Sequence, residues 1–93
     1  MLTGINGGNV MEEYTFDTQA LLEGAKLDEE TLRNMILQGF EGNSLIVGGD
    51  AELMKVHFHT NQPGKVIDYL LTVGDVFDVV IENMDRQARG EKG

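Results

Sequence analysis

The chain has 93 residues, 41% of them hydrophobic, and 16 acidic side chains against 7 basic ones give a formal net charge of −9. That is one small domain with a modest core, and the absence of cysteine excludes a disulfide framework or a thiolate metal site. The scattered basic residues and acidic balance exclude a nucleic-acid partner, which needs clustered Lys and Arg.

No apolar run approaches the ~20 residues of a membrane span, and the first residues lack a signal-peptide pattern. The expectation is therefore a cytoplasmic protein. Residues 1–11 hold Gly4, Gly7 and Gly8 without periodicity and read as a flexible tail. An ordered domain is expected over 12–87, followed by a second flexible tail over 88–93. Residues 14–22 read as a strand from their aromatic and threonine content, with Tyr14, Phe16 and Thr18 on the core side and Thr15, Asp17 and Gln19 on the other. A helix follows: Asp28 is its N-cap, and Leu27 and Leu32 occupy the two staple positions. Leu32, Met35 and Ile36 make its apolar stripe, and Gly39 marks its stop.

Residues 44–47 read as a second strand, turned by Gly48, Gly49 and Asp50, and residues 53–60 as a third. The second helix begins around 61–63, capped by Thr60 or Asn61, with Pro63 tolerated in a first turn where its missing N–H has no partner to lose. Val66, Ile67, Leu70 and Leu71 form its buried stripe, and Gly74 ends it. A last strand over 76–84 alternates Phe77, Val79 and Ile81 against Asp78, Val80 and Glu82. The order β-α-β-β-α-β specifies an α+β, ferredoxin-like split βαβ sandwich of two layers. Its four-stranded antiparallel sheet carries both helices on one face.

That plan makes the first and third strands central neighbours and leaves one sheet face open. Met54, Val56 and Phe58 take the helix side, so Lys55, His57 and His59 line the open face. The only two histidines lie two apart on a strand and project from the same side, roughly 6.5–7 Å apart along the backbone. They can converge on one metal ion or one anion. Asp17 falls beside them, with Asp78 and Glu82 approaching from the edge. Two imidazoles and a carboxylate make a three-ligand zinc site with one open position, the catalytic pattern. His57 and His59 are the candidate catalytic residues, and Asp17, His57 and His59 the candidate metal ligands. The helix start at Thr60, Asn61 and Gly64 is a candidate anion site, because helix N-termini point N–H groups at anions. The competing reading is a solvated, idle histidine pair on a polar sheet face and a helix start that is simply a cap. Asp28, Glu29 and Glu30 are ordinary charges that favour a helix dipole, and the five methionines read as core filler and termini.

Three segments carry a resemblance: Gly42-Asn43-Ser44-Leu45-Ile46-Val47-Gly48-Gly49-Asp50; Lys55-Val56-His57-Phe58-His59-Thr60-Asn61 with Pro63-Gly64-Lys65-Val66; and Ile81-Glu82-Asn83-Met84 with Gln87. Over about 12–87 the chain resembles the middle domain of bacterial fatty acid kinases. These are Dak-type enzymes, related to dihydroxyacetone kinase, that phosphorylate fatty acids held by a separate DegV-type binding protein. The resemblance implies a zinc site built from the two strand histidines, here His57 and His59, and a cysteine on the first strand. The family's first strand reads roughly Tyr-x-aromatic-Cys-Thr-Glu. Tyr14, Phe16 and Thr18 match it, whereas Asp17 stands at the cysteine and Gln19 at the glutamate. A carboxylate is a harder and weaker zinc ligand than a thiolate.

The resemblance also implies that ATP and magnesium are bound by a separate N-terminal helical domain, and that the carrier is contacted through C-terminal sequence. This chain shows no Walker-type glycine-rich loop. The expected function is that of a domain of a fatty acid kinase in lipid metabolism, inactive alone. It would support ATP-dependent phosphoryl transfer to a carboxylate through zinc or another divalent metal on Asp17, His57 and His59. Its expected partners are the other domains of the parent kinase and the DegV-type protein. The alternative is a non-catalytic ligand-binding or domain-docking module that uses the open sheet face.

Overall fold

In chain order, the computed structural model contains β1 (Phe16–Glu23), α1 (Glu29–Gly39), β2 (Gly42–Gly49), β3 (Leu53–Thr60), α2 (Pro63–Leu71), β4 (Asp75–Asn83) and α3 (Met84–Ala88). It describes residues 13–93, so the tail expected over 1–11 lies outside the described residues. The sheet order is β2-β3-β1-β4, every neighbouring pair antiparallel, with β1 and β3 in the centre as the split βαβ plan requires. No described helix is long and apolar enough to cross a membrane.

Strand alternation separates the two faces. Thr18, Ala20 and Leu22 of β1 and Met54, Val56 and Phe58 of β3 are all buried, and the apolar ones pack with Leu32 and Ile36 of α1 and Val66 and Leu70 of α2 in one cluster. Helices α1 and α2 therefore cover one face. The opposite face of β1 and β3 holds Asp17, Gln19, Lys55, His57 and His59, and no helix among the described residues covers it. Gly42 lets β2 run close over the Phe58 ring and the His59 carbonyl, where an added Cβ would collide with both.

Each helical stripe is narrower than its sequence pattern suggests. Met35 is 47% exposed and Leu71 57% exposed, which corrects their expected place in the core. Helices of 11 and 9 residues lying on the sheet press down one line of side chains. Residues four apart share that line, so Leu32/Ile36 and Val66/Leu70 are buried. The α1 cap forms as expected: Asp28 is extended, at φ −131° and ψ 117°, and its carboxylate accepts from the Thr31 N–H at 2.9 Å. The α2 cap does not. Gln62 takes that position with no side-chain cap bond.

The sheet edges depart from strict alternation. Opposite β1, Gln19 pairs with Val80 and Leu21 with Phe77, so β4 carries one extra residue, and Asp78 there has φ 51°. The bulge moves Phe77 to the open face with Val80 and Glu82 and leaves Ile81 on the helix side opposite Thr18. Phe77, Val79 and Ile81 thus do not form the single face that the sequence suggests. Such a bulge also twists an exposed edge away from further strand pairing. The third helix is a second departure, because the sequence pattern carries the last strand to residue 84. Asn83 caps α3 by accepting from the Arg86 N–H at 2.9 Å. The first turn is tied back to the start of the domain, where Thr15 O accepts from the Met84 N–H at 2.8 Å and Thr15 Oγ1 meets Asp85 Oδ2 at 3.0 Å.

Candidate metal centre

Strand pairing assembles the site. Asp17 lies directly across from His59, and Gln19 from His57. Directly opposite residues share a face with their Cβ atoms about 5 Å apart, so a carboxylate on β1 meets two imidazoles on β3. One ligand atom from each of Asp17, His57 and His59 lies within 4.8 Å of the other two. All three side chains are half-buried, which weakens competition from bulk water without sealing the site. The imidazole rings meet edge to face, with centroids 4.8 Å apart and planes at 65°.

The two nitrogens of His57 have different neighbours. Nδ1 is 3.0 Å from the carbonyl oxygen of Ser44, and Nε2 is 3.1 Å from Asp17 Oδ1. Both partners only accept, and a neutral ring has one N–H, so with the proton on Nδ1 the lone pair is on Nε2. That lone pair faces a carboxylate oxygen, and two acceptors at this distance repel unless a cation is shared between them. A proton meets the need, and so does a metal ion. The spacing suits a metal: ligand atoms on a tetrahedral zinc with bonds of about 2.0 Å stand about 3.3 Å apart. The widest separation, 4.8 Å, has to close by an amount that side-chain rotation can supply. A ring nitrogen that donates to a backbone carbonyl while its partner ligates is the usual arrangement of metal-bound histidine. Gln19 Nε2 reaches Asp17 Oδ1 at 3.4 Å and steadies the carboxylate.

The edge carboxylates do not join this cluster. Glu82 pairs across from Asp17 on β4, and Asp78 lies in the bulge. Among the described residues, the group whose ligand atoms converge is Asp17, His57 and His59. At the candidate anion site, the Thr60 side chain is buried, donating to Glu41 O at 2.9 Å and accepting from the Gln62 N–H at 3.1 Å. Asn61 Oδ1 accepts from the Thr15 N–H at 2.7 Å, which ties the residue just before β1 to the start of α2. Gly64 is exposed, with open space where a Cβ would be. Because α2 packs on the helix-covered face, its N-terminus and the histidines leave the end of β3 on opposite sides of the sheet.

The sequence did not reveal the groove beside the histidines. A hollow of about 400 Å³ on the open face is lined by Gln19, Ile46, Gly48, Lys55 and His57. Ile46 is 63% exposed there, and the Gly48 position, across from Lys55, leaves the groove unfilled. Nor did it reveal the Ser44 contact. A serine between Asn43 and Leu45 carries no local mark of a carbonyl aimed at a histidine thirteen residues away.

The fold is thus a split βαβ sandwich whose open face gathers two imidazoles and a carboxylate, a group that could hold a metal ion. Comparison with known proteins places it further. The family model for the middle domain of FakA-like fatty acid kinase subunits matches residues 13–91, and the chain belongs to that family. It is 36% identical over 81 residues to an uncharacterized protein of Staphylococcus haemolyticus strain JCSC1435, covering 83% of this chain and 14% of that protein. Uncharacterized proteins of Staphylococcus aureus strains USA300 and NCTC 8325 are 36% identical over 80 residues, covering 82% of this chain and 14% of each. The chain therefore spans about 14% of the length of the curated relatives it matches.

Proposed function

We propose that this domain serves a cytoplasmic Dak-type fatty acid kinase, supporting ATP-dependent phosphoryl transfer to a carboxylate substrate through a divalent ion, zinc first, on Asp17, His57 and His59. The observation that carries the reading is the 3.1 Å approach of His57 Nε2 to Asp17 Oδ1 inside a three-residue convergent cluster. Family membership supports the kinase context. ATP and magnesium would be held by other parts of the parent protein, and a DegV-type fatty-acid carrier is the proposed partner. A bound ion would supply a positive charge to neutralise the transferring phosphoryl group or to orient a carboxylate oxygen. The protein's own residues prepare for that role. Asp17 offers a carboxylate oxygen, the edge-to-face histidines offer two imidazole nitrogens, and half-burial strengthens each charge interaction relative to water.

The test is acyl-phosphate formation by the full-length parent kinase with its carrier, comparing wild type with His59→Ala and Asp17→Ala at matched stability. Loss of the electrostatic contribution should lower the rate on the order of 10²–10³-fold. Asp17→Cys should retain or raise activity, since a thiolate binds zinc more tightly than a carboxylate. A folded His59→Ala enzyme with full activity would rule the metal role out. A second reading, docking of another domain on the open face, is favoured by the apolar side chains there: Ile46, Phe77 and Val80 are 63%, 38% and 45% exposed. Phe77→Ser would then weaken assembly while leaving zinc uptake intact.

A further inference from the structure

We propose that the bulge in β2 is a positioning device, in which the Ser44 carbonyl holds His57 in its Nδ1–H tautomer so that Nε2 is the ligating atom. The inference deepens the metal reading of the cluster and rests on it for its purpose. Between His59 and His57, β3 advances two residues, whereas the paired stretch of β2 advances three, from Asn43 to Ile46. The inserted residue changes the backbone. Ser44 has φ 56°, the left-handed region that non-glycine residues seldom occupy. Bulges leave a residue unpaired and re-aim its groups, and the group re-aimed here is a carbonyl, which ends 3.0 Å from His57 Nδ1. A positive φ also occurs in the β4 bulge at Asp78, so the outlier at Ser44 carries weight through the carbonyl that it aims at a candidate ligand.

The tautomer matters because the alternative closes the site. With its proton on Nε2, neutral His57 would donate to Asp17 Oδ1 at 3.1 Å, and the pair would satisfy itself without any metal. The Ser44 carbonyl opposes that state, because it would then face the Nδ1 lone pair. The charged carboxylate is the stronger acceptor, so the carbonyl fixes the ring once a metal ion takes the proton's place between Nε2 and Asp17. With the proton on Nδ1, the Nε2 lone pair and the carboxylate both stay available to a cation. Ser44 acts through His57, so it is a positioning residue.

Long-range ¹H–¹⁵N NMR of the ¹⁵N-labelled 93-residue chain tests this directly, first metal-free in alkaline buffer where the imidazoles are neutral, then with zinc chloride added. The expected result with zinc is a shifted His57 Nε2 resonance and a proton on Nδ1. Zinc on Nδ1 overturns the proposal. If zinc shifts neither histidine, the metal reading itself fails and the proposal falls with it. Two variants add a second readout. Ser44→Gly keeps the left-handed backbone at no steric cost and should retain the wild-type tautomer and zinc affinity. Deletion of Ser44 removes the extra residue. It should release the tautomer and weaken zinc binding by about 10–100-fold, the usual effect of losing an outer partner of a ligand. A folded deletion variant with wild-type tautomer and affinity overturns the proposal as well.

Discussion

Adjacent leucines at the end of α2 provide a sharp test of how the helices meet the sheet. Leu70 is 1% exposed and belongs to the central cluster with Leu22, Phe58 and Val66, whereas Leu71 is 57% exposed. Leu70→Ala removes three carbons from the core. At about 0.8 kcal/mol per buried carbon, the transfer term alone is roughly 2.4 kcal/mol. The cavity left behind adds to it, so the total should fall in the range of about 2–5 kcal/mol measured for buried leucines. A domain of this size has a stability of roughly 5–14 kcal/mol, so the variant should fold while losing a large part of its margin. Leu71→Ala deletes the same atoms from a mostly solvated site and should stay within about 0.5 kcal/mol of wild type. Urea denaturation followed by circular dichroism measures both, with equal slopes required before midpoints are compared. A Leu70→Ala cost below about 0.5 kcal/mol, or equal costs for the two leucines, would refute the assignment of α2's buried line.

Purified wild-type protein should take up zinc or cobalt at one ion per chain, and the His57→Ala/His59→Ala double variant should not. Equal uptake by both proteins in elemental analysis would refute the site. Metal binding should weaken as the solution is acidified and should release protons, because a protonated imidazole has no lone pair to give, and calorimetry in two buffers of different ionisation heat reads that release. The Asp28 carboxyl is held below the ordinary carboxylate range by the Thr31 hydroxyl and then by the Thr31 N–H. Its contribution to stability is therefore complete above the unfolded value of about 3.9 and fades as pH falls through the lower folded value. The stability gap between wild type and Asp28→Ala should narrow in strong acid, and a gap that widens there would contradict the cap. Gly42→Ala should destabilise the domain, since its Cβ would meet the Phe58 ring and the His59 carbonyl; a thermal midpoint equal to wild type would show that β2 does not run that close.

Local patterns carried much of the architecture. The period of two along Lys55–His59 separated core from open face, and the Asp28 start with Leu32 and Ile36 four apart located α1, all from neighbours within a few residues. The same alternation put Asp17 and both histidines on one side, so the candidate cluster was legible once β1 and β3 were taken as partners. Helix faces were legible only in outline. Met35 and Leu71 fit the apolar stripes by spacing, but the sheet beneath decides how wide a stripe it covers. The bulges at Ser44 and Asp78 could not be read, because neither residue is a glycine and each φ is imposed by the register of the strand alongside. The sequence alone therefore determined the order of the four strands and of α1 and α2, the buried side of each central strand and the ligand types on the open face. Only the tertiary structure decided that Thr60 and Asn61 hold the chain together, that the groove beside His57 stays open, and that a carbonyl thirteen residues away faces His57 Nδ1. Those outcomes depend on cross-strand register and packing, which arise from pairs of residues far apart in the chain.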